Sequence, residues 1–390
     1  MLAFAARRPW VPGAVMLLVG VLSVGSRLVF IANGDPTAFI VAGRVFVDSD
    51  STPSPIKVYP DTGYDGQFAY RAAVDPLDVR ISAHGVRYDN PLRLQRLTYP
   101  ALAWLLSFGN EGWVPLSLIA VNIIGLAALG WLGGILALHF SRHALFGLLP
   151  AGYWGFAWSL GRNLTEITTC VFLLAGIIMF LKKHYWRAGG LFAIAALSRE
   201  TSVLIIVALA LGAAAEWLWR KRINLRQSFQ LAGLAVPAAL AFSSWQFYCW
   251  MQIGQWPLLA GTAANLGLPL RDLIPAAIDW FQDLAGAHAQ RAALVLLQFV
   301  SLVCWVVFTA KAMLRSSTPF PLKLAWAVLT LTLASLTQSV WIGPADFRTA
   351  AEMFILGAVV LLGSPKIARA PVIMAITTGA ATFGIRLFYL

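Results

Sequence analysis

The sequence predicts an all-α membrane protein that crosses the bilayer about eleven times. Three observations lead there. First, 59% of the 390 residues are apolar and only 12% are charged, half the roughly 25% that covers a soluble domain. Second, apolar runs of about the 20 residues that span a bilayer recur along the chain. Third, the charges are sorted by sign between the connecting segments, as the positive-inside rule requires.

The candidate spans run 11–32, 114–138, 144–161, 164–181, 201–218, 228–250, 292–313, 322–341, 348–363 and 371–389. Two apolar stretches are shorter. Residues 188–197 would cross as a thin, tilted span with snorkelling ends, and residues 97–108 have the length of an interfacial or re-entrant segment. Counting the first and not the second puts the N-terminus in the cytoplasm. The short cytoplasmic loops then hold 15 of the 29 Lys and Arg, and of the 17 acids only Glu216. Arg7-Arg8 before an apolar run could open a secretory signal, but the run is long and lacks a small-residue cleavage site, so it reads as a retained first span.

Composition also excludes some functions. The formal charge of +12 lies between spans, which argues against nucleic acid. Cys170, Cys249 and Cys304 sit far apart in apolar runs and read as buried hydrophobes. No cluster has zinc-ligand spacing and no phosphate-binding GxxxxGK[ST] loop occurs.

The chain therefore reads as one transmembrane domain, 1–390, with two long extracytoplasmic loops at 33–113 and 251–291. The first is rich in Asp. Its segment GYDGQFAYRAAVDP (63–76) has an amphipathic helical pattern and is expected to lie at the membrane surface. Asp65 stands where that helix would start, either as an N-terminal cap or as an ionised base at the interface. In PLRLQRLTYP (91–100), Arg93 and Arg96 beside Tyr99 read first as interface anchors and second as a lipid head-group site. The second loop carries Asn265, Arg271, Asp272 and His288 among its polar residues.

Charges within spans are expensive and usually functional. They occur as Arg162 and Glu166, Arg199 and Glu200, and Asp346, Arg348 and Glu352, each group near an outer helix end. The four-residue spacing lets Arg162 pair with Glu166 and Arg348 with Glu352 on one helix face. Their common depth favours one shared polar cavity over three local ion pairs. A carboxylate at its rim could deprotonate an acceptor hydroxyl, and arginines beneath could hold a phosphate leaving group.

Four stretches, GYDGQFAYRAAVDP, DNPLRLQRLTYPALAWLL, ALSRETSVLI and DFRTAAEMFIL, resemble bacterial integral membrane glycosyltransferases of the GT-C fold. The resemblance implies sugar transfer from a polyprenyl-phosphate-linked donor to a glycan, lipid or protein acceptor, with inversion, at the outer face of the bacterial inner membrane. The mannosyltransferase-like members are the nearest in character. It implies Asp65 as the base, with Asp35 as the other candidate. Arg199 and Arg348 would form the phosphate clamp, oriented by Glu200 and Glu352. Arg162, Glu166, Gln67, Tyr70 and Arg96 complete the expected substrate contacts. Many such enzymes carry adjacent acids, whereas Gly66 follows Asp65 here, so a divalent cation is an open expectation and no metal ligand is assigned. A lipid-linked substrate flippase, or a structural subunit of an envelope-synthesis complex, is the alternative.

Overall fold

The computed structural model describes residues 7–219, 224–260, 265–286, 289–342 and 345–386. His288 and the basic residues at 220–222 fall outside them.

The chain is helical almost throughout. Helix α1 (Trp10–Phe30) leads into the first long loop, which contains α2 (Gly66–Val74) and ends in α3 (Thr98–Leu106). Helix α4 (Val114–His139) follows, then the short α5 (Leu148–Ala151) and α6 (Gly155–Gly161). Next come α7 (Glu166–Leu181), α8 (Tyr185–Ala196), α9 (Thr201–Trp219) and α10 (Leu225–Ile253). The second loop holds α11 (Leu273–Asp283). Helices α12 (Ala289–Met313), α13 (Phe320–Ala334), α14 (Gln338–Ile342), α15 (Ala351–Leu362) and α16 (Arg369–Arg386) complete the described chain.

Among the described residues, four helical segments are long and apolar enough to cross a membrane: Trp10–Phe30, Glu111–His139, Thr201–Trp219 and Ala289–Met313. Helix α10, with 29 residues, is long but falls short in hydropathy, and several of the other expected crossings are shorter or interrupted. Residues 144–161, read as one span, are broken between α5 and α6, where Pro150, Gly152 and Gly155 interrupt the helical ladder. Residues 322–341 are divided between α13 and α14. Helix α15 has 12 residues, all buried, so it is a core element wrapped by protein. A run of apolar residues looks the same whether its neighbours are lipid tails or other helices, and hydropathy cannot separate the two.

Helix α1 lies along α4, and glycines make the approach close. A Cβ added at Gly130 or Gly134 would collide with the carbonyl oxygens of Pro12 and Pro9. Two small residues four apart on one face are the device that brings membrane helices into backbone contact.

The first loop is a folded unit with its own core of Ile40, Phe68, Tyr70, Val86, Tyr88 and Leu94, continuous with Leu118 of α4 and Trp245 of α10. Two short strand pairs, Ala42–Gly43 with Val58–Tyr59 and Ser82–Ala83 with Val86–Arg87, brace it. Helix α2 is buried along nearly its whole length inside this core, contrary to the expected surface-lying helix. Trp245 Nε1 donates to the Leu94 carbonyl at 2.8 Å and ties the loop to α10.

Gly134→Leu is expected to force α1 and α4 apart and to destabilise the protein by about 1–3 kcal/mol. Thermal unfolding of the detergent-solubilised chain would measure this, and an unchanged midpoint would refute the close approach.

Candidate active site

The turn before α2 positions its first residues by backbone packing. Gly63 has φ +65°, in the left-handed region, and its α-carbon side lies against Gly43. Gln67, almost fully buried, accepts from the Gly43 N–H at 2.9 Å and donates to the Thr62 carbonyl at 3.0 Å. Its amide fixes the turn that presents Asp65 and is spent in doing so. A side chain at position 66 would run into the carbonyl oxygens of Arg162 and Ile40. Glycine after Asp65 is therefore a steric requirement.

Asp65 occupies the N-cap position of α2, yet its side chain caps nothing. Its Oδ2 instead meets three guanidiniums: Arg348 Nη2 at 2.8 Å, Arg93 Nη1 at 3.0 Å and Arg96 Nη1 at 3.3 Å. Burial alone would raise the pKa of this carboxyl. Arg93, Arg348 and Arg96 outweigh it and hold the group well below the ordinary carboxylate range. Arg93 lies within the 3-10 turn Pro91–Gln95 and Arg96 caps its C-terminal end, and both reach Asp65. Both point into a cavity, whereas the first sequence reading made them interface anchors.

The remaining charges close the cluster from below. Arg348 pairs with Glu166 and donates from Nε to the Tyr64 hydroxyl at 3.2 Å. Glu166, fully buried, also accepts from Ser159 Oγ at 2.9 Å and lies 3.8 Å from Arg199. Arg199 stands 3.8 Å from Glu352, whose carboxylate accepts from Thr201 and, at 2.6 Å, from Ser202. Glu200 pairs with Arg96 at 3.4 Å.

These contacts correct the expected pairings. Glu166 is bound to Arg348 and Arg199, and Arg162 precedes α7 across left-handed Asn163, so the pair never shares a helix face. Arg348 likewise lies ahead of α15 in a 3-10 segment, Ala345–Ala350, and does not pair with Glu352. Ala345, Asp346 and Phe347 all have φ near +50°, a strained run for residues with a Cβ. Arg386 and Gln298 pin it by donating to Asp346 at 2.9 Å, and Tyr153 donates to the Phe347 carbonyl.

Four guanidiniums and four carboxylates thus converge at a cavity of about 710 Å³ whose lining includes all of them but Glu166, and Asp89 holds Arg93. Much of the remaining lining is apolar, including Val203 and Leu204 of α9, Leu329 and Leu333 of α13, and Leu336 and Val340. Around this cluster, buried atoms remain without a hydrogen bond: the donors Arg199 Nε and Nη1 and Arg96 Nε, and the acceptor Glu200 Oε2. Unmet polar atoms of this kind mark a place for a polar ligand or ordered water.

Not every expected residue joins the site. Asp35 is outside the cavity lining, and its Oδ1 accepts from the Thr37 N–H at 2.8 Å and hydroxyl at 2.7 Å. Tyr70 is buried in the loop core, where burial foremost, with Glu111 adding to it, pushes its phenol up to about 12. Arg162 stacks on Trp158 at 3.6 Å, on the far side of Tyr64 from Arg348. Sequence reasoning passed over Tyr64, Thr201 and Thr349, which also line the cavity. Their only signal was adjacency to Asp65, Glu200 and Arg348.

A divalent cation does not fit this arrangement. Each carboxylate of the cluster is committed to guanidinium or hydroxyl donors, and four arginines would repel the ion. Among the described residues, Asp75, Asp78 and His84 could converge elsewhere, but Arg80 and Arg71 already occupy Asp78.

No protein-family model matches the sequence, and no curated protein does. One solved structure aligns over 96% of this chain and 56% of its own: the oligosaccharyltransferase of Archaeoglobus fulgidus in the apo form, at 13% identity and a TM-score of 0.48. The chain thus spans little more than half the length of that protein.

A carboxylate with a depressed pKa stabilises the fold above its unfolded pKa of about 3.9, and the contribution is lost as pH falls through the folded value. Asp65→Asn should therefore cost about 3 kcal/mol. The gap to wild type should stay constant from about pH 8 to 5 and narrow only below the ordinary carboxylate range. Thermal unfolding against pH tests this, and a gap that closes near neutrality would overturn the ion-pair assignment.

Proposed function

We propose that this chain is a membrane glycosyltransferase. It moves a sugar from a polyprenyl-phosphate-linked donor to an acceptor hydroxyl at the extracytoplasmic face, with inversion. The observation that carries the reading is the mixed lining of the cavity, which combines the arginine cluster with leucine and valine side chains. An anionic head on a long apolar chain matches both kinds of lining.

In this reading the empty site is charge-paired within itself, and donor binding rearranges it. The phosphate draws Arg348, Arg96 and the under-bonded Arg199 toward its oxygens. Asp65 loses partners, its pKa climbs, and it becomes able to take the acceptor proton. The acceptor oxygen then attacks the sugar's anomeric carbon, the bond from that carbon to the phosphate oxygen breaks, and polyprenyl phosphate leaves. The arginines balance the charge that develops on it. Glu166 holds Arg348, and Glu200 holds Arg96. In this scheme Asp35 has no part, and Gln67 acts only by shaping the turn.

The same reading places the N-terminus in the cytoplasm and the 33–113 loop outside, with a bacterial inner membrane as the setting. The sorting of basic and acidic residues between loops supports that orientation.

With labelled polyprenyl-phosphate sugars and purified protein, turnover is expected to release free polyprenyl phosphate, which a flippase would not do. Asp65→Asn should lower transfer by about 10²–10⁴-fold. Arg348→Lys, which keeps charge but loses the planar fork, should lower it about tenfold or more. Wild-type activity in Asp65→Asn would sink the assignment.

A further inference from the structure

A second arginine cluster lies at the same end of the molecule, separated from the cavity by Tyr64 and Trp158. Arg27 closes the last turns of α1, Arg386 ends the described part of α16, and Arg162 follows α6. Together they line a small crevice between Ser23 and Phe383, about 20 Å³ against the 710 Å³ of the cavity, part of it open to the outside. Trp158 is held between two of them, with Arg162 at 3.6 Å and Arg386 at 4.7 Å from its ring.

The charge count here differs from that of the cavity. Arg386 has Asp346 as its partner. Among the described residues, Arg27 and Arg162 have no hydrogen-bond or ion-pair partner, only aromatic rings. Arg27 is 6% exposed, lies 5.3 Å from the centre of the Phe39 ring, and its Nε is buried and unbonded. A buried guanidinium cannot shed its proton and is costly unless an anion meets it. The carbonyl ends of α1 and α16 favour a cation but do not replace an anion. Cation–π contacts stabilise Arg27 and Arg162 without neutralising them. Among the described residues, the crevice is therefore short of negative charge.

We infer that Arg27, Arg162 and Arg386 form a second oxyanion site, distinct from the cavity, that takes the phosphate of an anionic membrane lipid. Planar donor forks suit phosphate oxygens. The lipid source follows from the surroundings: the helices that carry Arg27 and Arg386 expose large apolar side chains on their outer faces, Leu22 and Val29 of α1 and Ile385 of α16. The inference is independent of any reaction in the cavity.

The test uses the full chain in neutral detergent, with thermal unfolding followed against added ligand. Dioctanoyl phosphatidylglycerol is expected to raise the midpoint saturably, and dioctanoyl phosphatidylcholine, its zwitterionic counterpart, to do so far less. Arg27→Gln and Arg162→Gln should each weaken the apparent affinity about tenfold or more, while Arg315→Gln on the opposite side leaves it unchanged. Arg162 is only half-buried, so its variant serves if Arg27→Gln fails to fold. Inorganic phosphate forms a separate arm. An equal shift from phosphate alone, lost in the same variants, would keep the oxyanion site and make free phosphate its ligand. A phosphatidylglycerol response unchanged in both variants, or no saturable response to either probe, would overturn the proposal.

Discussion

The carboxylate of Asp65 is the anion on which the site depends. It is met by arginines from two distant parts of the chain, Arg93 and Arg96 from the folded loop and Arg348 from the segment ahead of α15. One oxygen thus joins the extracytoplasmic loop to the late helices. The cluster then extends by alternation of sign, from Arg348 to Glu166 to Arg199 to Glu352, and from Arg96 to Glu200. In a setting of low dielectric a lone charge of either sign is untenable, so members must be matched or displaced by a ligand of the same sign. That property makes the cavity both stable when empty and receptive to an anion.

The identity of the residues was largely legible in the sequence, while their partnerships were not. Arg199, Glu200, Arg348, Glu352 and Glu166 stand out because charges are rare in apolar runs, Asp65 because it stands where a helical pattern starts, and the structure gathers all six. Pairing by helical spacing failed for a definite reason. Arg348 and Arg162 sit just outside the helices that the spacing assumed, displaced by left-handed residues at 345–347 and 163. Nothing in a sequence without glycine at those positions announces a left-handed turn. Asp35 stood as the second candidate beside Asp65, and its bonds to Thr37, its place outside the cavity lining and the three guanidiniums on Asp65 separate the two. Helix α2 read as amphipathic, correctly, but its polar residues Gln67 and Arg71 are satisfied by loop backbone rather than by water.

The two arginine clusters form a contrast within one molecule. In the cavity each guanidinium has a carboxylate within 4 Å, and specificity can come from exchanging one anion for another. In the crevice between α1 and α16 Arg386 has Asp346, while Arg27 and Arg162 rest on aromatic faces, which stabilise charge without neutralising it.

Gly66 has a consequence that reaches beyond the present sequence. Its α-carbon is walled in by two carbonyls from separate segments, those of Ile40 and Arg162. Gaining a second acid just after Asp65 would demand a shift of both backbones along with the new side chain. Position 66 is therefore closed to a second acid without backbone movement, and a neighbouring carboxylate could enter this turn only on the other side of Asp65, in place of Tyr64.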